Sequence, residues 1–447
     1  MIFVQIISFL IVVVLIFLLA KKKHSVYKYS VKEDYDYDFT CASKTLELSL
    51  DHNTLRSLDF SETYDTAMME VEIKATLFGH IKQPFITMIQ GDMKYRQYFE
   101  YGAKGKRYLN VSHCFKGNVD LKFKMNTCKI INTKVKLFLF NNEINLNENI
   151  CIIAPHPDDA EIAAYGLYSS CNNPHILTVS AAESGKQMYK ELDIDATGQA
   201  ILKGKTRTIN SISVPLLAGV DAKNCLNYGY FGDTVKSMYD NQGSLVKSQV
   251  EENLDMSVFR KLNGNNKLLN VGYSPKWSSL VNDLKFSLEQ IQPKVIILPF
   301  PEIDTHPDHK YSTVAVIEAM KLLCMTDVKL LLYTNHHVLS EAYPYGKVSS
   351  NISLPPNFSQ ELLFDSLYSF ELDKNKQVEK TIALEGMNVL RAFYPWHKDT
   401  TILNRVFKNL VNKLYGKRLD YFSRSIRSNE LFFLIEGKNI DKLLLSL

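Results

Sequence analysis

The chain has little of what several protein classes require. Its 447 residues hold seven cysteines, an odd number, scattered and without a CxxC pair. That excludes cysteine-rich zinc modules, argues against a disulfide framework and favours a reducing compartment. Positive charge is not concentrated anywhere. The net charge of +4 is spread along the sequence with no basic stripe, which excludes nucleic acid as a partner. Internal repeats and low-complexity tracts are missing, so a solenoid or a disordered scaffold does not fit. Met1–Ala20 lacks any charged side chain.

That last absence has a consequence. Ile2 to Leu19 is almost entirely Ile, Val, Leu and Phe, just long enough to cross a bilayer as a helix. No basic region precedes it and no small-residue cleavage site follows, so it reads as an uncleaved transmembrane anchor. Lys21, Lys22 and Lys23 come directly after it. The positive-inside bias then places the remainder in the cytoplasm. The whole chain is 46% hydrophobic and 22% charged, ordinary for a globular protein of two or three domains.

Residues 21–38 are polar and rich in Tyr, Lys and Asp, and are expected to form a tether. Across 39–146 the hydrophobic period is two. Met69-Glu70-Val71-Glu72-Ile73-Lys74 and Leu121-Lys122-Phe123-Lys124-Met125 both alternate. Such alternation predicts half-buried antiparallel strands and a β-sandwich-like domain. After an Asn-rich boundary the texture changes. Apolar runs at Ile150–Ile153, His175–Val179, Val295–Leu298 and Val328–Tyr333 alternate with helical patterns at 160–170, 280–291 and 309–324. This predicts an α/β, Rossmann-like domain over 147–447, with a mostly parallel sheet and flanking helices. Gly219–Ser274 is rich in Asn, Gly and Tyr and reads as a long loop insertion; the tail after Asp420 can add a last strand or helix.

Two strings carry the chemistry, His156-Pro157-Asp158-Asp159 and His306-Pro307-Asp308-His309. Each follows an apolar strand, so their side chains gather at strand C-termini, where open α/β folds place their sites. Three imidazoles and three carboxylates suit zinc with an open position for water. Of the adjacent Asp158 and Asp159, one can bind metal while the other faces the water. His336-His337 is a second histidine pair, but neighbours on a strand point to opposite faces, which argues against a shared metal.

The stretch Ala154–Gly166, with His156-Pro157-Asp158-Asp159-Ala160-Glu161, resembles the signature of the zinc-dependent N-acetylglucosaminyl deacetylases, the PIG-L/LmbE-like family. Asp304-Thr305-His306-Pro307-Asp308-His309 is similar to that family's second motif, and the likeness covers about residues 148–400. The resemblance implies that His156, Asp159 and His309 bind Zn2+. It makes Asp158 the general base and His306 an oxyanion stabiliser or general acid, with Asp308 holding an imidazole in its working tautomer. Arg207 stands where the family has a substrate-contacting Arg, although Asn210 replaces the Glu three residues on. The implied reaction is removal of the acetyl group from an N-acetylated amino sugar in a glycan or glycolipid. Two rivals share the fold: an inactive membrane-anchored glycan-binding scaffold, and a zinc amidohydrolase for another amide.

Overall fold

The computed structural model describes residues 26–57, 64–114, 119–185, 192–264, 266–387 and 421–445. The anchor expected at 1–20 and Lys21–Lys23 lie outside these residues. Among the described residues no helix is long and apolar enough to cross a membrane. The chain divides into two compact units. The first comprises Met1–Asn141, Leu339–Glu361 and Arg391–Ser428; the second comprises Asn142–Val338, Leu362–Leu390 and Asn429–Leu447.

The first unit contains two antiparallel sheets. One runs in the order Lys44–Ser49, Lys134–Phe140, Thr66–Ala75, Lys104–Asn110, with Cys128–Ile130 also paired to Thr66–Ala75. The other runs Thr54–Leu55, Leu121–Asn126, Phe85–Gln90, Met93–Tyr98. The alternation has its cause in burial: Val71 and Ile73 are inside while Glu72 and Lys74 are exposed, and Leu121 and Phe123 are inside while Lys122 and Lys124 are exposed. Ile73 and Leu137 of one sheet share a core with Ile86, Met88 and Phe123 of the other.

Two segments depart from expectation here. The described part of the tether, from Val26 on, is packed. Tyr35 donates to Glu100 Oε1 at 2.7 Å and Tyr37 to Pro355 O at 2.6 Å. Arg107, buried against Glu100 at 3.0 Å, donates to Val31 O and Glu33 O at 2.8 Å each. A Tyr-rich polar stretch thus docks through phenol and backbone groups, which hydropathy does not register. Residues 147–447 are also not one continuous unit. Tyr343 and Tyr345 form an aromatic cluster with Tyr98, and buried Arg427 donates to Pro344 O and Tyr345 O, which ties 339–361 into the first unit.

The Glu100–Arg107 pair sets a stability prediction. Both side chains are 1% exposed. Glu100→Gln leaves a buried guanidinium uncompensated and should cost about 3–5 kcal/mol in chemical denaturation. A loss under about 1 kcal/mol, the range of a surface pair, would contradict it.

The second unit is a seven-stranded sheet in the order Cys225–Tyr230, Asn173–Ser180, Asn149–Ala154, Val295–Pro299, Lys329–Tyr333, Asn429–Glu436, Ser366–Glu371. Its first five strands are parallel; the last two pair antiparallel. Asn149–Ala154 is an interior strand, with Ile150 to Ile153 fully buried, as expected of a strand covered on both faces. The helix Trp277–Ile291 buries Leu280, Leu284, Leu288 and Ile291 on one stripe and stops at Gln292, whose φ of 48° is left-handed. Gly219–Ser274 is not a simple loop insertion. It holds the edge strand Cys225–Tyr230 and helices Val235–Asp240 and Ser257–Arg260. The strand Cys-Leu-Asn-Tyr-Gly-Tyr has no β-branched residue and a mid-strand glycine, so its pattern was weak.

Candidate metal centre

Register brings the two strings together. Asn149–Ala154 and Val295–Pro299 are adjacent and parallel, with Ile150 opposite Val295 and Ile152 opposite Ile297. Their C-terminal loops therefore emerge side by side. His156 follows the first strand and precedes the helix Asp159–Tyr168. His306 is the N-cap of the helix Pro307–Leu322, with Pro307 at its first position, where a missing N–H costs nothing. His309 lies within that helix's first turn.

Three donor atoms converge. His156 Nδ1 is 3.2 Å from Asp159 Oδ2 and 3.2 Å from His309 Nε2, and His309 Nε2 is 3.0 Å from Asp159 Oδ2. Ligands about 2.0–2.2 Å from a tetrahedral zinc are separated from each other by about 3.3–3.6 Å. The donor set is therefore contracted by a few tenths of an ångström from a zinc shell, and its two nitrogens and one carboxylate match zinc's preferences.

The outer nitrogens of both rings meet carboxylates. His309 Nδ1 is 3.0 Å from Asp304 Oδ2, and His156 Nε2 is 3.3 Å from Asp308 Oδ2. Carboxylates on the far side of ligating imidazoles fix tautomer and ring orientation. Asp308 is itself fixed by Asp233 N at 2.8 Å and Val235 N at 3.0 Å. Two other groupings bring ligand atoms within 4.8 Å of one another: His156, His306 and His309, and His156, Asp233 and Asp308. Chemistry favours neither. His306 Nδ1 accepts from Asp308 N at 3.2 Å, so a neutral His306 carries its proton on Nε2 and offers no lone pair. The Asp308 oxygens are already committed to backbone amides.

Residues 151–320 match the model of the PIG-L family, described as GlcNAc-PI de-N-acetylase. The match spans both strings and supports an N-deacetylase, an amide hydrolase. No curated protein matches the chain at a significant level. Among solved structures, N,N'-diacetylchitobiose deacetylase from Pyrococcus horikoshii is 14% identical over 65% of this chain and 85% of its own, with a TM-score of 0.34. The zinc-inhibited form of teicoplanin deacetylase is 12% identical over 64% of this chain and 98% of its own, with a TM-score of 0.33. A 4-carboxy-2-hydroxymuconate hydratase from a Pseudomonas is 12% identical over 64% of this chain and 96% of its own, with a TM-score of 0.30.

Within the matched segment, Asp158 and Asp159 take different partners. Asp159 turns into the donor cluster, braced by Asn335 Nδ2 at 2.8 Å. Asp158 turns to Arg207, whose Nη2 is 2.8 Å from its Oδ1. Arg207 Nε is buried without a hydrogen-bond partner among the described residues, leaving one donor for a bound oxygen. The His306 ring lies 4.6 Å from that of His156 and 5.0 Å from that of His309, centroid to centroid.

Electrostatics separate the three histidines. Burial opposes charge on each. At His156 the hydrogen-bonded Asp159 and Asp308 outweigh burial and raise the pKa to about 9. His309 is raised likewise by Asp159 and Asp304. At His306 burial wins, aided by the neighbouring His156 and His309, and the pKa falls to about 4. The carboxylates beside His156 and His309 thus stabilise positive charge at the cluster, the field a divalent cation needs.

Sequence reasoning missed Asp304 and Asn335 as bracing groups. Asp304 stands two residues before the second string, and that proximity is its only signal. Asn335 had none, because it reaches Asp159 from the loop after Lys329–Tyr333. His336 belongs to the same brace. Its backbone N–H meets Asp304 Oδ2 at 3.2 Å, its carbonyl accepts from Thr305 N at 2.8 Å, and its ring lies 5.1 Å from that of His309.

Proposed function

We propose that the second unit is a zinc-dependent hydrolase that removes the acetyl group from an N-acetylated amino sugar, with Asp158 as the general base. The observation that carries this reading is the convergence of His156 Nδ1, Asp159 Oδ2 and His309 Nε2, with Asp158 on the same turn and oriented by Arg207. Those three residues would hold zinc, which when bound acidifies water and polarises the acyl carbonyl. Asp158 accepts the proton of the attacking water as the O–C bond forms. His306, neutral at pH 7, donates a hydrogen bond from Nε2 to the developing oxyanion. The C–N bond then breaks, the proton on Asp158 passes to the leaving amine, and acetate remains.

Arg207 has two tasks in this scheme. It fixes the Asp158 carboxylate through Nη2 and offers Nε to a substrate oxygen. Arg207→Ala should keep its metal and lose about tenfold to a hundredfold in turnover, the range for groups that orient a reacting residue. Unchanged turnover would remove Arg207 from the site.

Residues 1–20 serve as a membrane anchor in this reading, with the remainder cytoplasmic, and the first unit engages the remote part of a larger glycan or glycolipid. Binding of such remote groups raises the rate at the reacting centre. Protease protection in sealed vesicles tests the orientation. Acetate release from a panel of N-acetylated sugars tests the reaction, and release from amides lacking a sugar would favour the second rival.

A further inference from the structure

The first unit has a surface feature unrelated to the metal centre. Two large apolar side chains stand together in solvent, Leu77 at 88% exposure and Phe78 at 75%. They lie on a short turn, Leu77–His80, directly after the strand Thr66–Ala75. The turn is tied in place. Gly79 N donates to Thr76 O at 2.8 Å, Ile81 N to Phe78 O at 3.0 Å, Gly102 N to Gly79 O at 3.0 Å, and Thr76 N to Thr127 O at 2.9 Å. A Cβ at Gly79 would come within 2.5 Å of Thr127 O, so only glycine allows this close approach. The apolar pair is held out by a braced turn.

The surroundings are cationic. Lys74 lies opposite Lys104 on one neighbouring strand and opposite Lys129 on the other. Like charges directly opposite across strands are destabilising. Lys82 leaves the turn on its far side, its N–H on Phe78 O at 2.8 Å. All four lysines are exposed. Two acidic groups stand beside this row: Asp34, which accepts from Lys106 N at 2.7 Å, and Glu72, opposite Lys106. Four cations against two carboxylates leave a positive surplus around an apolar tip.

That combination fits one kind of partner. Exposed apolar side chains enter the boundary between headgroups and acyl chains, and lysines beside them meet anionic lipid. A nucleic acid would use the lysines and leave Leu77 and Phe78 in water. We propose that the Leu77–His80 turn docks the first unit onto an anionic phospholipid bilayer, with Leu77 and Phe78 inserted and Lys74, Lys82, Lys104 and Lys129 facing lipid phosphates.

The test uses the full chain carrying Phe78→Trp, bound to vesicles whose acyl chains are brominated to quench indole fluorescence. The parent chain supplies the signal of Trp277 and Trp396 for subtraction. Quenching of the introduced indole should be strong on phosphatidylserine-containing vesicles and several-fold weaker on pure phosphatidylcholine. Lys74→Glu with Lys129→Glu should erase that difference, with circular dichroism unchanged. Absence of quenching on both vesicle types overturns the proposal, as does quenching that ignores both lipid charge and the lysine reversals. A concentration-dependent blue shift without vesicles also overturns it, because the tip would then pair with a second copy of the chain. Residues 1–20 and Lys21–Lys23 are present in every variant, so the loss of that difference on reversing Lys74 and Lys129 is what reports the tip.

Discussion

Asp158→Asn should retain stoichiometric zinc and lose about 10²–10⁴ in turnover, the usual contribution of a positioned general base. The substitution is nearly isosteric. An asparagine Oδ1 can still accept from Arg207 Nη2, now 2.8 Å from the carboxylate, so the turn and its guanidinium partner stay in place. Only the capacity to take a proton is removed. The loss should therefore appear in kcat with little change in KM, and metal analysis should match wild type. Turnover within a few-fold of wild type would exclude Asp158 as the base. Loss of zinc would instead place Asp158 among the ligands.

His309→Ala should abolish both metal binding and activity, and it should destabilise the second unit even without metal. His309 is fully buried between Asp159 at 3.0 Å and Asp304 at 3.0 Å. Removing the imidazole leaves both carboxylates buried beside a void. Breaking a buried charge pair costs about 3–5 kcal/mol before any cavity is counted. Asp304→Asn is the graded control. It keeps all three donor residues but alters the group that orients His309, and should weaken zinc affinity by about 10–100-fold. Full zinc occupancy in His309→Ala would contradict the donor assignment.

Much of this site was legible in the sequence because its residues are local. His156 to Asp159 and His306 to His309 are short strings, and the strands before them are apolar enough to be read as buried and parallel. Adjacent strands then bring the strings together with no further information. The parts that were not legible depend on long-range pairing. Asn335 reaches Asp159 from another loop, and Asp304 is tied to the backbone of Asn335 and His336. Arg207 was read as a substrate contact, and its ion pair with Asp158 depends on how Ala196–Ser213 lies on the sheet. The strand Cys225–Tyr230 was missed because its burial comes from tyrosines instead of β-branched residues. The stretch after Val26 was read as a tether because hydropathy scores a tyrosine hydroxyl as polar. Tyr35 satisfies that hydroxyl on Glu100 and buries its ring.

Acetate release by the purified full-length chain, measured before and after chelation on N-acetylglucosamine-type substrates, tests the central claim most directly. The expected result is acetate and free amine in equal amounts, loss of both on chelation, and recovery when zinc is restored, with Asp158→Asn inactive at full zinc occupancy. A zinc-loaded chain that releases no acetate from any N-acetylated sugar, or one whose release survives chelation undiminished, would contradict it.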